Sequence, residues 1–268
     1  VTGVQTCALP ILPYLALKLR KMNMVKQIPN FLTLCNLFCG SLSILLAFND
    51  KLWTSAIVLL VAFHADIFDG FTARMLKAQT KIGKELDSLA DMVSFGLAPA
   101  VILHVMLLNQ SGQDSFSFQT DFNIWFPLLI PFLMTIFAAL RLAKFNIDER
   151  QSEVFIGLPT PANALMVLSL PLIAHSQADS FLITWFSNTW VIVAYAITVS
   201  VLMIAPVYLY SLKLKGFNFR LNKYRYFFAL MCVIILITLR HTGLFLIIVL
   251  YFAYGAILGW LQKQGKIT

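Results

Sequence analysis

An all-α fold, a polytopic membrane helix bundle of about eight transmembrane helices with both termini cytoplasmic, is predicted by three features of the sequence. The first is composition. Of the 268 residues, 59% are hydrophobic, where a soluble domain carries about 45–50%, and the mean hydropathy is +0.81. The second is spacing: the apolar residues fall in runs approaching the ~20 needed to cross a bilayer. The third is charge. There are 20 Lys and Arg, and an eight-span path puts all of them except Lys51 and Arg240 on one side. Positive loops mark the cytoplasmic face, which sets both termini inside. The net charge of +8 then reads as loop charge facing anionic lipid, and nucleic acid is not an expected partner. Four cysteines, Cys7, Cys35, Cys39 and Cys232, imply no disulfide framework. Cys35 and Cys39 lie one turn apart in an apolar run and read as packing residues.

Residues 1–11, VTGVQTCALPI, resemble a translated sequencing adapter. Residues 1–23 are therefore expected to be a non-native tail with a basic lead-in, with the native chain starting at Met22 or Met24, and are set aside from fold reasoning. Pro29 and Asn30 suit a helix start and open the first expected span, residues 31–48. The second is expected over 52–74, the third over 83–108 and the fourth over 124–145. A stiff turn, Gly157 to Pro161, leads into the fifth, 162–178. The sixth is expected over 190–210, followed by a basic loop over 213–225. The seventh and eighth occupy 226–239 and 243–261. No internal repeat or low-complexity segment interrupts this order.

Charged residues inside such runs carry the functional information. Counting from Leu52 at 1.5 Å per residue, Asp66 lies about 21 Å and Asp69 about 26 Å along the second helix. Asp87 and Asp91 stand one and two turns into the third. The pairs are spaced i,i+3 and i,i+4, so each faces one way. Ionised side chains at such depth are costly unless compensated, and four carboxylates together cannot all stay charged alone. Hard divalent cations are the natural compensation, since the ligands are oxygens with no His or Cys among them. Gly70 admits a close neighbour or ligand. Arg74 offers a donor fork suited to phosphate. Lys77 reads as loop charge, and Lys81 and Lys84 as either loop charge or phosphate contacts. Arg141 lies just inside an apolar run and needs a partner or a snorkelling path. Asn36 reads from its position as a bond between neighbouring helices, and Ser94 reads as a bond to a neighbouring helix in preference to a substrate contact.

Written out, the stretch is Asp66-x2-Asp69-Gly70-x2-Ala73-Arg74-x8-Gly83-x3-Asp87-x3-Asp91, eight specified residues over 26 positions. It resembles the signature of the CDP-alcohol phosphotransferase family at every fixed position and spacing. Four further stretches resemble the phosphatidylserine synthase branch: PNFLTLCNLFCG from Pro29, LDSLADMVSFGLAPA from Leu86, ALRLAKFN from Ala139 and GLPTPANA from Gly157. On this resemblance residues 24–210 are the family's six-helix membrane domain, and 211–268 add two transmembrane helices and a cytoplasmic tail.

The resemblance implies an enzyme that transfers a phosphatidyl group from CDP-diacylglycerol to L-serine, releasing CMP, with two divalent cations, Mg2+ or Mn2+. It implies that Asp66, Asp69, Asp87 and Asp91 hold the metals and that Asp91 takes the proton from the serine hydroxyl. Gly70, Ala73, Arg74 and Gly83, with Lys81 and Lys84, would form the CDP and pyrophosphate pocket. Arg141, Ser94 and Asn36 are the candidates for binding serine, Arg141 because a carboxylate needs a cation. The expected setting is the inner membrane of a bacterial cell, with the active site cytoplasmic, membrane lipid around it and a homodimer as the assembly. Two other readings stand beside this one. The acceptor could instead be glycerol 3-phosphate or inositol phosphate, although a phosphorylated acceptor should want more basic residues. Alternatively, intramembrane acids mark cation transporters, although these are usually built on repeats.

Overall fold

The computed structural model describes residues 27–113, 115–147, 155–177, 179–209 and 219–263. The expected tail, Cys7 and the basic lead-in lie outside the described residues. Among those described, five helices are long and apolar enough to cross a membrane: Ile28–Phe48, Leu52–Met75, Lys81–Gln110, Phe122–Ile147 and Tyr226–Trp260.

Helices α1 (Ile28–Phe48) and α2 (Leu52–Met75) form an antiparallel pair closed by the turn at Asn49–Lys51. The buried side of α1 is Pro29, Thr33, Asn36, Gly40, Ser43 and Ala47, a stripe that is small or polar throughout. Its exposed side is Phe31, Leu34, Phe38, Leu45 and Phe48. That is the pattern of a helix in lipid, where apolar side chains lose nothing by facing outward and helices associate through close contact and hydrogen bonds. Ser43 and Ser55 show it directly: Ser43 Oγ lies 3.0 Å from Ser55 O, and Ser55 Oγ lies 2.8 Å from Ser43 O.

The third long helix is the centre of the bundle. It runs as α3 (Lys81–Asp91), a π-helical turn over Met92–Leu97, and α4 (Ala98–Gln110). Of its apolar stretch 78% is buried, against 17–39% for the other four. Thr80 caps the start, its Oγ1 accepting from Gly83 N at 3.0 Å. The π turn follows Asp91 at once. Single π turns of this kind change the register of a helix and often mark functional sites. Two neighbours close around it. A Cβ on Gly40 would stand 2.8 Å from Ser94 Cα, and one on Gly96 would stand 3.0 Å from Ala138 Cβ. Thr135 Oγ1 donates to Gly96 O at 3.2 Å.

The fourth expected span is α5 (Phe122–Leu129), a 3-10 turn over Ile130–Phe132, and α6 (Leu133–Ile147). Pro131 explains the break, since it lacks an N–H and its ring crowds the carbonyl four residues back. After it come α7 (Thr160–Ser176), the short α8 (Phe181–Phe186) and α9 (Thr189–Ile204). The sixth helix was expected to reach residue 210 and stops at Ile204. Ala205 is extended ahead of Pro206, as residues before proline tend to be. Tyr208–Leu209 then pairs antiparallel with Phe155–Ile156, a two-residue bridge among described elements that are otherwise helical. Gly157, at φ +75°, makes the turn beside it, where a side chain would meet Met203 O.

The last helix, α10, spans Phe219–Lys263 and is non-helical at Arg240 (φ 51°, ψ −124°). The expected basic loop therefore extends less far than residue 225, because Phe219–Arg225 is already helical. Phe228 and Tyr254 stack with ring centroids 5.5 Å apart. Along a straight helix those residues would be separated by about 39 Å, so the chain doubles back at Arg240 as a helical hairpin.

The contact at Gly40 offers a test. Gly40→Ala should destabilise the detergent-solubilised protein by about 1–3 kcal/mol, the usual cost of overpacking, whereas Ser41→Ala on the exposed face should not. Thermal unfolding followed by tryptophan fluorescence would read the difference; equal melting curves would mean that α1 and the π turn have room to separate.

Candidate active site

Two helices supply the acids because the chain turns back on itself between them. Near its C-terminus α2 carries Asp66 and Asp69, and α3 brings Asp87 and Asp91 back alongside. Asp66, Asp69 and Asp87 each offer one carboxylate oxygen, and these oxygens all lie within 4.8 Å of one another. Asp91 interacts electrostatically with all three. Three of the four expected aspartates thus converge, and Asp91 lies within electrostatic reach of them without joining the group of close carboxylate oxygens.

Helix α1 holds two of them in place from its polar stripe. Thr33 Oγ1 donates to Asp69 Oδ2 at 2.7 Å, with Pro29 O a weaker alternative at 3.1 Å. Asn36 Nδ2 lies 3.3 Å from Asp91 Oδ1. Asp69 and Asp91 are only 5% and 9% exposed. A donor set made only of carboxylate oxygens, this close together, fits a hard divalent cation such as magnesium or manganese and disfavours zinc. Buried acids without such compensation would carry a large desolvation cost.

A cavity of about 450 Å³ opens beside the acids, lined by Asp69 and Asp87 together with Gly70, Ala73, Arg74, Lys81, Gly83 and Lys84. Its size is that of an ordinary small-molecule site. All six residues expected to bind the nucleotide thus share one cavity. Arg74, Lys81 and Lys84 are exposed at it, so their charge is available to an anion. The Lys84 ammonium also donates to Asn146 O at 3.0 Å.

The residues considered for the acceptor are absent from that lining. Asn36 and Arg141 lie instead on the Asp91 side. Arg141, 8% exposed, has the Asp91 carboxylate and the Tyr251 hydroxyl within electrostatic reach, and its Nε has no hydrogen-bond partner. Asn36 Oδ1 is likewise buried without a partner. Ser94 donates to Asn36 O at 3.0 Å, so its hydroxyl proton is engaged in joining the π turn to α1.

Sequence reasoning passed over three features. Tyr251 sits in an apolar run with no motif around it. Asn146 and Ser88 bond each other across α6 and α3 at 2.9 Å; both lie in the stretches quoted above, without a role attached. The π turn had a faint signal in Gly96 and Pro99, residues that disturb a regular helix.

Residues 26–202 match the profile of CDP-alcohol phosphatidyltransferase. Three curated relatives carry the name CDP-diacylglycerol–serine O-phosphatidyltransferase. The chain is similar to the Mycobacterium leprae protein at 30% identity over 187 residues, covering 67% of this chain and 57% of that one. For Bacillus subtilis the identity is 32% over 146 residues, covering 54% and 76%. For Helicobacter pylori it is 28% over 250 residues, covering 92% and 96%. The chain therefore spans little more than half the length of the first of these and nearly all of the last. The matched region contains every aspartate of the cluster, the cavity beside them and Arg141, and ends before the hairpin that carries Tyr251. Together with its apolar helices this shows a multi-pass membrane protein, and the chain belongs to the CDP-alcohol phosphatidyltransferase family.

Proposed function

We propose that the protein transfers a phosphatidyl group from CDP-diacylglycerol to L-serine, giving phosphatidylserine and CMP. The observation that carries this reading is the convergence of Asp66, Asp69 and Asp87 beside a cavity lined with Gly70, Arg74, Lys81 and Gly83. The relatives named for serine transfer support serine as the acceptor.

In this reading the chain's residues divide the work. Arg74 and Lys81 donate hydrogen bonds to the pyrophosphate, and Gly70 and Ala73 leave room for the nucleotide against α2. Asp91 accepts the proton of the serine hydroxyl as its oxygen bonds to phosphorus and the phosphorus–oxygen bond to CMP breaks. Asn36 orients the Asp91 carboxylate through its amide N–H. Arg141 holds the serine carboxylate as a charged hydrogen-bond donor, a use that accounts for its buried and unpartnered Nε. Asp66, Asp69, Asp87 and Asp91 would hold two divalent cations, magnesium or manganese, whose contribution when bound is to offset the negative charge of the reacting phosphates and the leaving CMP. Acyl chains stay in lipid while the nucleotide and serine come from water.

The larger setting is part of the proposal. Residues 24–210 would be the six-helix catalytic membrane domain, and 211–268 would add two transmembrane helices and a cytoplasmic tail. The proposed path has eight crossings, with α10 counted as two, both termini cytoplasmic and the site at the cytoplasmic face; five of its described helices are long and apolar enough to cross by themselves. At about 26 and 24 Å long, α7 (17 residues) and α9 (16 residues) would need help from their flanking residues to span a ~30 Å core. A bacterial inner membrane is the proposed location and a homodimer the proposed assembly.

The first test is CMP release by purified protein given CDP-diacylglycerol, magnesium or manganese, and one acceptor at a time: serine, glycerol 3-phosphate, inositol or inositol phosphate. Release is expected with serine alone and should stop on addition of chelator. Release with a phosphorylated acceptor in its place would keep the family and overturn the choice of serine. Asp91→Asn should lower turnover by at least about 100-fold, the lower end for general-base catalysis, while CDP binding persists; near-normal turnover would remove Asp91 as the base. Arg141→Ala should raise the KM for serine about 10- to 100-fold, the range for a charged hydrogen bond, with that for CDP-diacylglycerol nearly unchanged. Equal rises for both substrates would point to damage to the bundle instead.

A further inference from the structure

We propose that Asn146 is a positioning residue for the acceptor half of the site, clamping the C-terminal turn of α6 onto α3 so that Arg141 stays opposite Asp91. The proposal rests on the reading of Arg141 as the group that holds the serine carboxylate.

Three hydrogen bonds form a closed circuit between the helices. Lys84 Nζ donates to Asn146 O at 3.0 Å, Asn146 Nδ2 donates to Ser88 Oγ at 2.9 Å, and Ser88 Oγ donates to Lys84 O at 3.2 Å. The circuit is consistent in its protons. Ser88 has one hydroxyl proton and gives it to Lys84 O, so toward Asn146 it can only accept, which sets the amide with its N–H side facing Ser88. Asn146 lies in the last turn of α6, where carbonyls lack an intrahelical donor. A lysine reaching that end is a recognised way to satisfy one.

Position gives the circuit its use. Contacts between α6 and the third helix run antiparallel: Thr135 to Gly96 O, Ala138 against Gly96, Arg141 toward Asp91, and Asn146 to Ser88. Arg141 is six residues past the first tie and five before the last. Helix α9 also packs along α6, but of the hydrogen bonds to the third helix the upper one lies six residues from Arg141 and by itself leaves the last turn of α6 untied to α3. The lower tie supplies that link. The bond from Lys84 uses the Asn146 backbone oxygen, which a change of either side chain leaves in place.

The test measures KM for serine and for CDP-diacylglycerol in the full-length protein carrying Asn146→Ala, Ser88→Ala, both together, or Arg141→Ala. CDP binding serves as a check on the fold. Each single change at the clamp should raise the serine KM about 5- to 20-fold, the scale of coupling between contacting residues. The CDP-diacylglycerol KM and CDP binding should stay within about 2-fold. The double variant should be no worse than either single one, because both remove the same bond; effects that multiply would overturn the shared bond. An unchanged serine KM in Asn146→Ala, or equal rises for both substrates, would overturn the proposal. Should Asn146→Ala fold poorly, Ser88→Ala tests the bond from the other helix. If Arg141→Ala leaves the serine KM unchanged, the underlying reading of Arg141 fails. If Arg141→Ala raises it and the clamp variants do not, only the clamp fails.

Discussion

Four carboxylates held together at one end of an apolar bundle repel one another, and low dielectric makes that repulsion expensive. Much of the surrounding structure answers this constraint. Helix α1 turns a small and polar stripe inward, so that Thr33 and Asn36 can donate to Asp69 and Asp91. Helix α6 places a buried guanidinium on the Asp91 side. A cation-binding site is the remaining element, and the oxygen-only donor set suits it. Stability and chemistry are coupled here: the groups that make the acids tolerable are the groups that would orient substrates.

Close approach of backbones is the second requirement, and it follows from the first. A polar side chain as short as Thr33 or Asn36 can reach an acid on a neighbouring helix only if the helices nearly touch. Gly40 against Ser94 and Gly96 against Ala138 allow this at the level of the π turn. In lipid no hydrophobic effect drives helices together, so contact of this kind also supplies the packing energy. The turn after Asp91 therefore sits where a shift in helical register serves two faces. It points Asp91 toward α1 and α2 while leaving Gly96 to receive α6.

How far the sequence was legible depends on distance along the chain. The aspartates and the cavity residues lie within 26 positions on two helices and one connection, so their spacing alone brings them together. Helices α1 to α6 were placed by apolar length, and the observed ends differ by only a few residues. The sixth helix ended early because the extended Ala205 before Pro206 outweighed an apolar pattern that continues to residue 210. The reversal at Arg240 was visible as a charge between two apolar runs. Other features could not be read this way. Whether Ser94 meets substrate or Asn36 O depends on the rotation introduced by the π turn. The partners of Arg141 and Asn146 come from helices far away in sequence, and periodicity carries no information about them.

This difference in range gives the site two halves with different freedoms. The nucleotide half of the proposed site would be built by one short stretch, where moving any acid by a residue would turn it off the shared face. In the proposed reading the acceptor half would draw on Asn36 of α1 and Arg141 of α6, with Tyr251 beside Arg141 on the α10 hairpin, which lies beyond the region matched to the family. Substitutions on α6 and α10 can thus reshape the surroundings of Asp91 without disturbing Asp69 and Asp87, the acids that line the cavity. Acceptor choice would then be set by how firmly these distant elements are docked, which gives a bond as modest as Asn146 to Ser88 leverage over specificity. The last hairpin packs against α7 and brings Tyr251 within electrostatic reach of Arg141, so in the proposed reading it would wall the acceptor half on a side that the acids on α2 and α3 do not cover.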